Sequence, residues 1–232
     1  ITDISTTVLF HPHAQPVQNS TISTSITGRW QLFVHIYTDE LLEGLGIGLA
    51  WPGVQQVIEN LKNLLVGKDP VNTEQLWSDM SRYARNYGHN GIASCAISAV
   101  DVGLWDLKAK ILDLPLYKLL GAHTESVPIY GSGGCTNSTE KELLDEMATY
   151  VDEGMSRVKI KVGKDFGRSE RQDIERIAAV RKTLGDDIAI YVDANSGYYR
   201  KQAIYMAREF EQYQVGWLEE PIMPEDLKGM AE

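Results

Sequence analysis

Three short segments carry charged residues in or just after apolar stretches, and together they could do chemistry. Lys159-Ile160-Lys161 lies within Arg157–Val162, Asp193-Ala194-Asn195 follows Ile188–Val192, and Glu219-Glu220 follows Val215–Leu218. Lysines one residue apart on a strand point to the same side. Two ammonium groups held close disfavour each other's charged form, which lowers the pKa of at least one. An amine moved from about 10.4 towards 7–8 can act as a general base near neutrality. Asp193 and Glu219 are hard oxygen ligands at the ends of successive strands. They suit Mg2+, which seldom takes a full protein cage. A divalent cation there would stabilise negative charge developing on an enolate oxygen. The plainer alternatives are two surface lysines on an edge strand, an Asp capping the next helix and a Glu in an ordinary ion pair.

The elements that must position these residues alternate. From Val127 the order is strand Val127–Tyr130, a Gly131–Gly134 loop, helix Thr139–Asp152, strand Arg157–Val162, helix Glu170–Leu184, strand Ile188–Val192, helix Tyr199–Tyr213 and strand Val215–Leu218, with a last helix starting at Pro224. Ser138 or Thr139 ahead of Glu140 and Glu142 is a capping signal. Strand–helix repetition implies parallel strands with crossover helices, in an open doubly wound sheet or a (β/α)8 barrel. No GxGxxG turn is present, which weakens a dinucleotide-binding sheet. In a barrel, Tyr130, Ser132, the two lysines, Asp193, Asn195, Glu219 and Glu220 gather on the catalytic face.

The preceding region, 1–126, has another rhythm. A strand-like run Thr6–Phe10 leads into a polar loop, His11–Gly28, holding Pro12 and Pro16. The aromatic, β-branched run Trp30–Tyr37 and the Gly44–Leu49 run complete a small antiparallel sheet. Helices follow over Val54–Leu65, Thr73–Asn86 and Gly91–Leu112, the last rich in small residues and expected to pack on more than one side, with a short turn at Tyr117–Leu120. His35, His89, Asp101, Asp106 and Lys108 read as structural residues.

Composition narrows the function class. The net charge is −10 with no basic block, which argues against a nucleic-acid surface. A local metal or lysine can still receive an anionic small molecule. Cys95 and Cys135 form no CxxC pattern, so reduced thiols in a cytoplasmic protein are expected. No run approaches the ~20 apolar residues of a membrane span, and no signal peptide is expected at Ile1–Phe10.

Taken together, Lys159-x-Lys161, Asp193-x-Asn195 and Trp217-Leu218-Glu219-Glu220-Pro221 resemble the mandelate racemase branch of the enolase superfamily. The run Ala99–Lys110 and the following Leu114–Gly121 are similar to that family's last capping-domain helix and linker. The resemblance implies an α+β capping domain over 1–126 and the first half of a (β/α)8-type, TIM-like barrel over 127–232. It implies that Lys161 is the general base that takes the proton alpha to a carboxylate. Lys159 would hold the substrate carboxylate and ease deprotonation of Lys161. Asp193 and Glu219 would be Mg2+ ligands, Glu220 a partner behind them, and Asn195 substrate-facing or behind the metal ligands. Ser132 would contact the substrate carboxylate. His11–Gly28 resembles a mobile loop closing over the substrate, where His11, His13 and Trp51 would make specificity contacts.

A complete barrel runs to roughly 250 residues, and the stretch from Val127 onward is less than half of that. A third metal ligand and a second acid or base are therefore expected beyond Glu232, in a longer protein. The implied reaction is dehydration of a hydroxy or sugar acid, by a lyase. A racemase or epimerase of the same family (an isomerase) and a non-catalytic scaffold are the alternatives. The implied partners are a small carboxylate substrate and further copies of the chain as a homo-oligomer, with no nucleic acid and no membrane.

Overall fold

The structure, a computed structural model, describes residues 1–22, 26–88 and 90–232. His89 and part of the His11–Gly28 loop lie outside the described residues. The chain packs as two units, Ile1–Pro12 with Gly28–Glu125, and His13–Thr27 with Ser126–Glu232.

A three-stranded sheet has the order β1 (Asp3–Val17), β2 (Ile26–Tyr37), β3 (Glu43–Leu49), of which the residues up to Pro12 and from Gly28 on fall in the first unit. β1 and β2 run well into the segment expected to be a polar loop. Pro12 and Pro16 are accommodated because β1 is an edge strand, where a missing N–H need not break a ladder. β2 and β3 pair antiparallel, with Val34 opposite Gly46. Four helices follow: α1 (Val54–Leu65), α2 (Thr73–Tyr83), α3 (Ile92–Ile111) and α4 (Leu116–Leu119). A 3-10 turn, Ala84–Tyr87, finishes the stretch expected to continue α2.

The glycines of β3 let α3 lie directly on the strand. A Cβ at Gly46 would stand 1.9 Å from the Ala99 carbonyl oxygen, and one at Gly44 2.3 Å from that of Gly103. Small residues on both sides therefore set the approach. α3 also packs on α1 and α2, as its small-residue composition predicts. Leu32, Val34 and Ile36 of β2 are fully buried with Leu61, Leu65, Val100 and Leu104. His35 joins three strands, its Nδ1 2.5 Å from Glu43 and its Nε2 3.1 Å from Thr7. Asp106 accepts the Leu45 N–H at 2.7 Å, and Lys108 donates to Thr73 at 3.3 Å.

The second unit holds a parallel sheet in the order β4 (Gly131–Gly133), β5 (Arg157–Lys161), β6 (Ala189–Asp193), β7 (Val215–Glu219). Strands consecutive in sequence are neighbours in space throughout. That is barrel winding; a doubly wound sheet reverses its order at a switch point. The helices are α5 (Glu140–Asp152), α6 (Lys164–Gly167), α7 (Glu170–Leu184), α8 (Arg200–Glu211) and α9 (Leu227–Ala231). α6 is a distorted turn, because Asp165 and Phe166 take left-handed angles. Val158, Ile160, Val162, Val192, Leu143, Met147, Ile177 and Val180 form the fully buried layer between sheet and helices.

One strand differs from the sequence expectation. Pairing starts at Gly131 opposite Val158, and Val127–Tyr130 lies outside the sheet with Val127 and Ile129 exposed. Pro128 cannot donate to a ladder, whereas the glycines admit α5. A Cβ at Gly131 would meet Tyr150, and one at Gly133 would meet Glu146. The capping signal of α5 is fulfilled, with Glu142 accepting the Thr139 N–H at 2.8 Å and Thr139 accepting the Glu142 N–H at 3.3 Å. Among the described residues no helix is long and apolar enough to cross a membrane.

Candidate active site

Register carries the four charged residues to one rim. Lys161 pairs with Asp193 across β5 and β6, and Asp193 pairs with Glu219 across β6 and β7. The alternation of β5 puts Val158 and Ile160 under the helices, so Lys159 and Lys161 project from the other side of the sheet. Lys159 Nζ lies 2.8 and 2.7 Å from the two Glu219 oxygens and 3.7 Å from Asp193 Oδ2. Lys161 donates to the same Asp193 oxygen. Lys159 is 6% exposed and Asp193 2%. Such buried charges persist only when paired.

The surroundings fix the protonation of Lys159. Burial pulls its pKa down, but the hydrogen bonds to Glu219 and Tyr130 and the charges of Glu219 and Asp193 outweigh it, leaving Lys159 above the ordinary lysine value. Crowding by a second ammonium was expected to lower the pKa of at least one lysine. At Lys159 the two carboxylates dominate instead.

Beyond the strand ends the backbone is tightly turned. Asn195, Ser196 and Glu220 hold left-handed angles although none is glycine, a conformation that costs energy and collects at functional sites. The turns are stitched together: Ala194 donates to Glu219 O at 3.0 Å and Ser196 to Glu220 O at 2.7 Å. Asn195 donates its backbone N–H to Asp193 Oδ1 at 2.9 Å and its side-chain amide to Glu220 at 3.2 Å. Asn195 Oδ1 is buried without a protein partner. That orphaned acceptor beside two carboxylates suits a hard cation or a hydroxylated ligand. Among the described residues no third His, Cys, Asp or Glu completes a cluster with Asp193 and Glu219. The pair fits Mg2+, which is commonly held by one or two carboxylates plus substrate and water oxygens.

The other expected residues divide between the units. Ser132 pairs with Lys159 across β4 and β5. Because Gly131 and Gly133 face α5, the Ser132 side chain faces the lysine side. His13 belongs to the second unit, and exposed His11 and Trp51 belong to the first.

Two features escaped the sequence reading. Tyr191 and Trp217 stack at 3.8 Å, and Tyr130 meets both edge-on, with Lys159 Nζ 5.3 Å from the Tyr130 ring. An aromatic floor thus lies beside the charges; Tyr191, two residues before Asp193, was the available signal. The second feature is on α7. Asp173, Arg176, Ile177 and Val180 are its buried residues, at helical core spacing. Arg176 donates to the carbonyls of Gly134, Cys135 and Ser138 at 2.9 to 3.0 Å. Asp173 accepts from Gly163 N–H at 2.9 Å and Tyr198 OH at 2.8 Å. One helix therefore braces the loops that follow β4, β5 and β6.

Known proteins share this half-barrel rim and the domain before it. Residues 4–121 match the mandelate racemase / muconate lactonizing enzyme N-terminal domain, and residues 142–232 match the enolase C-terminal domain-like family. The chain belongs to the mandelate racemase / muconate lactonizing enzyme family. It is 32% identical to the L-talarate/galactarate dehydratase of Salmonella typhimurium over 99% of this chain and 59% of that protein. It is 38% identical to the arabinonate dehydratase of Saccharolobus solfataricus over 83% of this chain and 52% of that protein. The Salmonella enzyme liganded with Mg and L-lyxarohydroxamate matches with a TM-score of 0.89 at 31% identity, over 97% of this chain and 59% of that one. A racemase from Streptomyces coelicolor with bound magnesium matches with a TM-score of 0.92 at 30% identity, over 98% and 64%. The chain thus spans less than two thirds of the length of these relatives.

Proposed function

We propose that this chain forms the base-bearing part of a Mg2+-dependent enzyme that removes the proton alpha to a carboxylate and dehydrates a hydroxy or sugar acid. The observation that carries the reading is the convergence of Lys159, Lys161, Asp193 and Glu219 on one rim, where Lys159 pairs with Asp193 and Glu219, and Lys161 with Asp193. The relatives named dehydratases support the acid-sugar substrate class.

Asp193 and Glu219 would hold the cation through their carboxylates. When bound, Mg2+ would supply positive charge that stabilises the negative charge developing on the substrate carboxylate. Lys161, as the free amine, accepts the alpha proton and becomes an ammonium. Lys159, as an ammonium, holds the substrate carboxylate by charge. Asn195 offers Oδ1 to a substrate hydroxyl, and Glu220 fixes the Asn195 amide from behind. Ser132 adds a hydroxyl beside Lys159. His11, His13 and Trp51 would shape specificity. The departing beta hydroxyl leaves with a proton from an acid outside this cluster. The free thiols Cys95 and Cys135 support a cytoplasmic setting, and we include a homo-oligomeric assembly in the reading.

A racemase of the same family is the second reading, favoured by the likeness to the magnesium-bound Streptomyces racemase. Both readings require the same first proton transfer. Lys161→Ala in the full-length protein should therefore abolish exchange of the alpha hydrogen with D2O, a loss of roughly 10²–10⁴-fold. Retained exchange in the variant would refute the base assignment.

A further inference from the structure

The tip of the β1–β2 hairpin ends in a socket of unusual fit. Ser20 is 2% exposed and packs within the second unit. Its hydroxyl donates to the Ala194 carbonyl and lies 3.3 Å from that of Asn195. Its own carbonyl accepts the Phe166 N–H at 3.0 Å. Two glycines make the room. A Cβ at Gly163 would lie 3.0 Å from Ser20 Cβ, and one at Gly197 2.8 Å from it. The neighbouring residues are tied as well: Gln18 O accepts Thr136 N–H at 3.0 Å, Asn19 O accepts the Thr136 hydroxyl at 3.1 Å, and Pro16 O accepts the Asn137 amide at 2.8 Å. The tip is thus bound to the loops after β4, β5 and β6, and its deepest contact is the strained turn that carries Asn195.

We propose that Ser20 is a positioning residue: seated between Gly163 and Gly197, it latches the hairpin tip to the backbone of Ala194 and Asn195 and so holds Asn195 in place for substrate. The inference rests on the function proposed above and adds a residue acting through Asn195. The surface loop expected to be mobile is, at residues 16 to 20, an anchored strap. A methyl group on Gly163 or Gly197 would crowd Ser20 Cβ, so the latch needs an open socket as well as the hydroxyl.

The test uses the full-length protein with three substitutions. Ser20→Ala removes the hydroxyl, Gly197→Ala fills the socket, and Ser20→Thr keeps the hydroxyl and adds a methyl group. Each should raise amide hydrogen exchange at Phe166 and Thr136 by about tenfold, while Ile160 and Val192 in the sheet keep wild-type protection. With an acid-sugar panel and Mg2+, each should raise KM about tenfold with kcat within about twofold of wild type. A purely structural residue would instead lower the active fraction, reducing kcat at constant KM. Unchanged protection at Phe166 and Thr136, or an unchanged KM in active variants, overturns the latch. If the wild-type protein exchanges no alpha hydrogen with any acid, the proposed function fails, and the amide protection alone then decides the latch.

Discussion

The two units use the same packing rule on one face and opposite rules on the other. In the first, α3 lies on the glycine-lined face of β3, and the neighbouring polar groups are matched locally, as His35 is with Glu43 and Thr7. In the second, the helix-covered face is equally apolar, with Val158, Ile160 and Val192 fully buried. Its other face gathers two amines, two carboxylates and three aromatic rings. It also holds the left-handed turn at Asn195 and an unpartnered buried oxygen. Shape holds the first unit together. The second sets charge and strain aside at one rim, as the proposed catalytic role requires.

The strongest way to break this contrast is a single methyl group. Gly46→Ala places a Cβ 1.9 Å from a backbone oxygen, which no side-chain rotation relieves. Urea unfolding of the full-length protein should show a loss of roughly 3 kcal/mol, the upper range for overpacking. Gly48→Ala meets the Ala99 side chain at 2.9 Å and should lose less, roughly 1 kcal/mol. Equal, small losses at both positions would mean that α3 slides freely and that shape does not set the approach.

How far the sequence could be read follows the same division. α7 covers the residues that periodicity assigns, Glu170–Leu184, and α1 likewise covers Val54–Leu65, because an amphipathic helix writes its buried face into its spacing. The rim was legible because Lys159 and Lys161 alternate with apolar residues on one strand, and Asp193 and Glu219 each end an apolar run on the next two. The first parallel strand was misplaced because Val127 and Ile129 look like a strand, whereas the pairing depends on Gly131 and Gly133 admitting α5. The hairpin was read as a loop because Pro12 and Pro16 exclude a central strand but not an edge. Ser20 left no local signal at all. Its partners are more than a hundred residues away, and only the folded chain brings Gly163 and Gly197 around it.

Asp173 sharpens the comparison at an intermediate size, because it is a buried carboxyl of α7 in the second unit that faces the loops after β5 and β6. It is 1% exposed, and burial pushes its carboxyl up from 3.8 to about 6 despite the bonds from Tyr198 and Gly163. The folded chain therefore holds this proton to higher pH than the unfolded chain. The group favours folding most below pH 3.8. That contribution is lost as pH rises to about 6 and is flat above it, a change on the order of 1–3 kcal/mol. Asp173 Oδ2 takes both hydrogen bonds while Oδ1 has no partner. The amide oxygen of Asp173→Asn can keep both bonds. The variant should match wild type near pH 4 and equal or exceed it at pH 8 in urea midpoint. A variant much weaker at pH 8 would show that the Asp173 charge is needed, through Arg176, to brace the loops.

The smallest effect separates backbone demand from surface charge on one exposed turn. The Thr139 side chain satisfies a helix N–H that has no other intrahelical partner, in a reciprocal cap with Glu142. Thr139→Ala should lower stability by about 1 kcal/mol. Lys141 pairs with Asp145 one turn further on, at 2.5 Å, but the two side chains are 84% and 66% exposed. Water and salt compensate such a pair almost fully, so Lys141→Ala should leave the urea midpoint where it was. Neither change should alter alpha-hydrogen exchange, since both residues are on the exposed first turn of α5 and not at the rim. A KM shift in Thr139→Ala would show that the cap also tunes the loop after β4, and the division between stabilising face and reactive rim would then be less sharp than the two sheets imply.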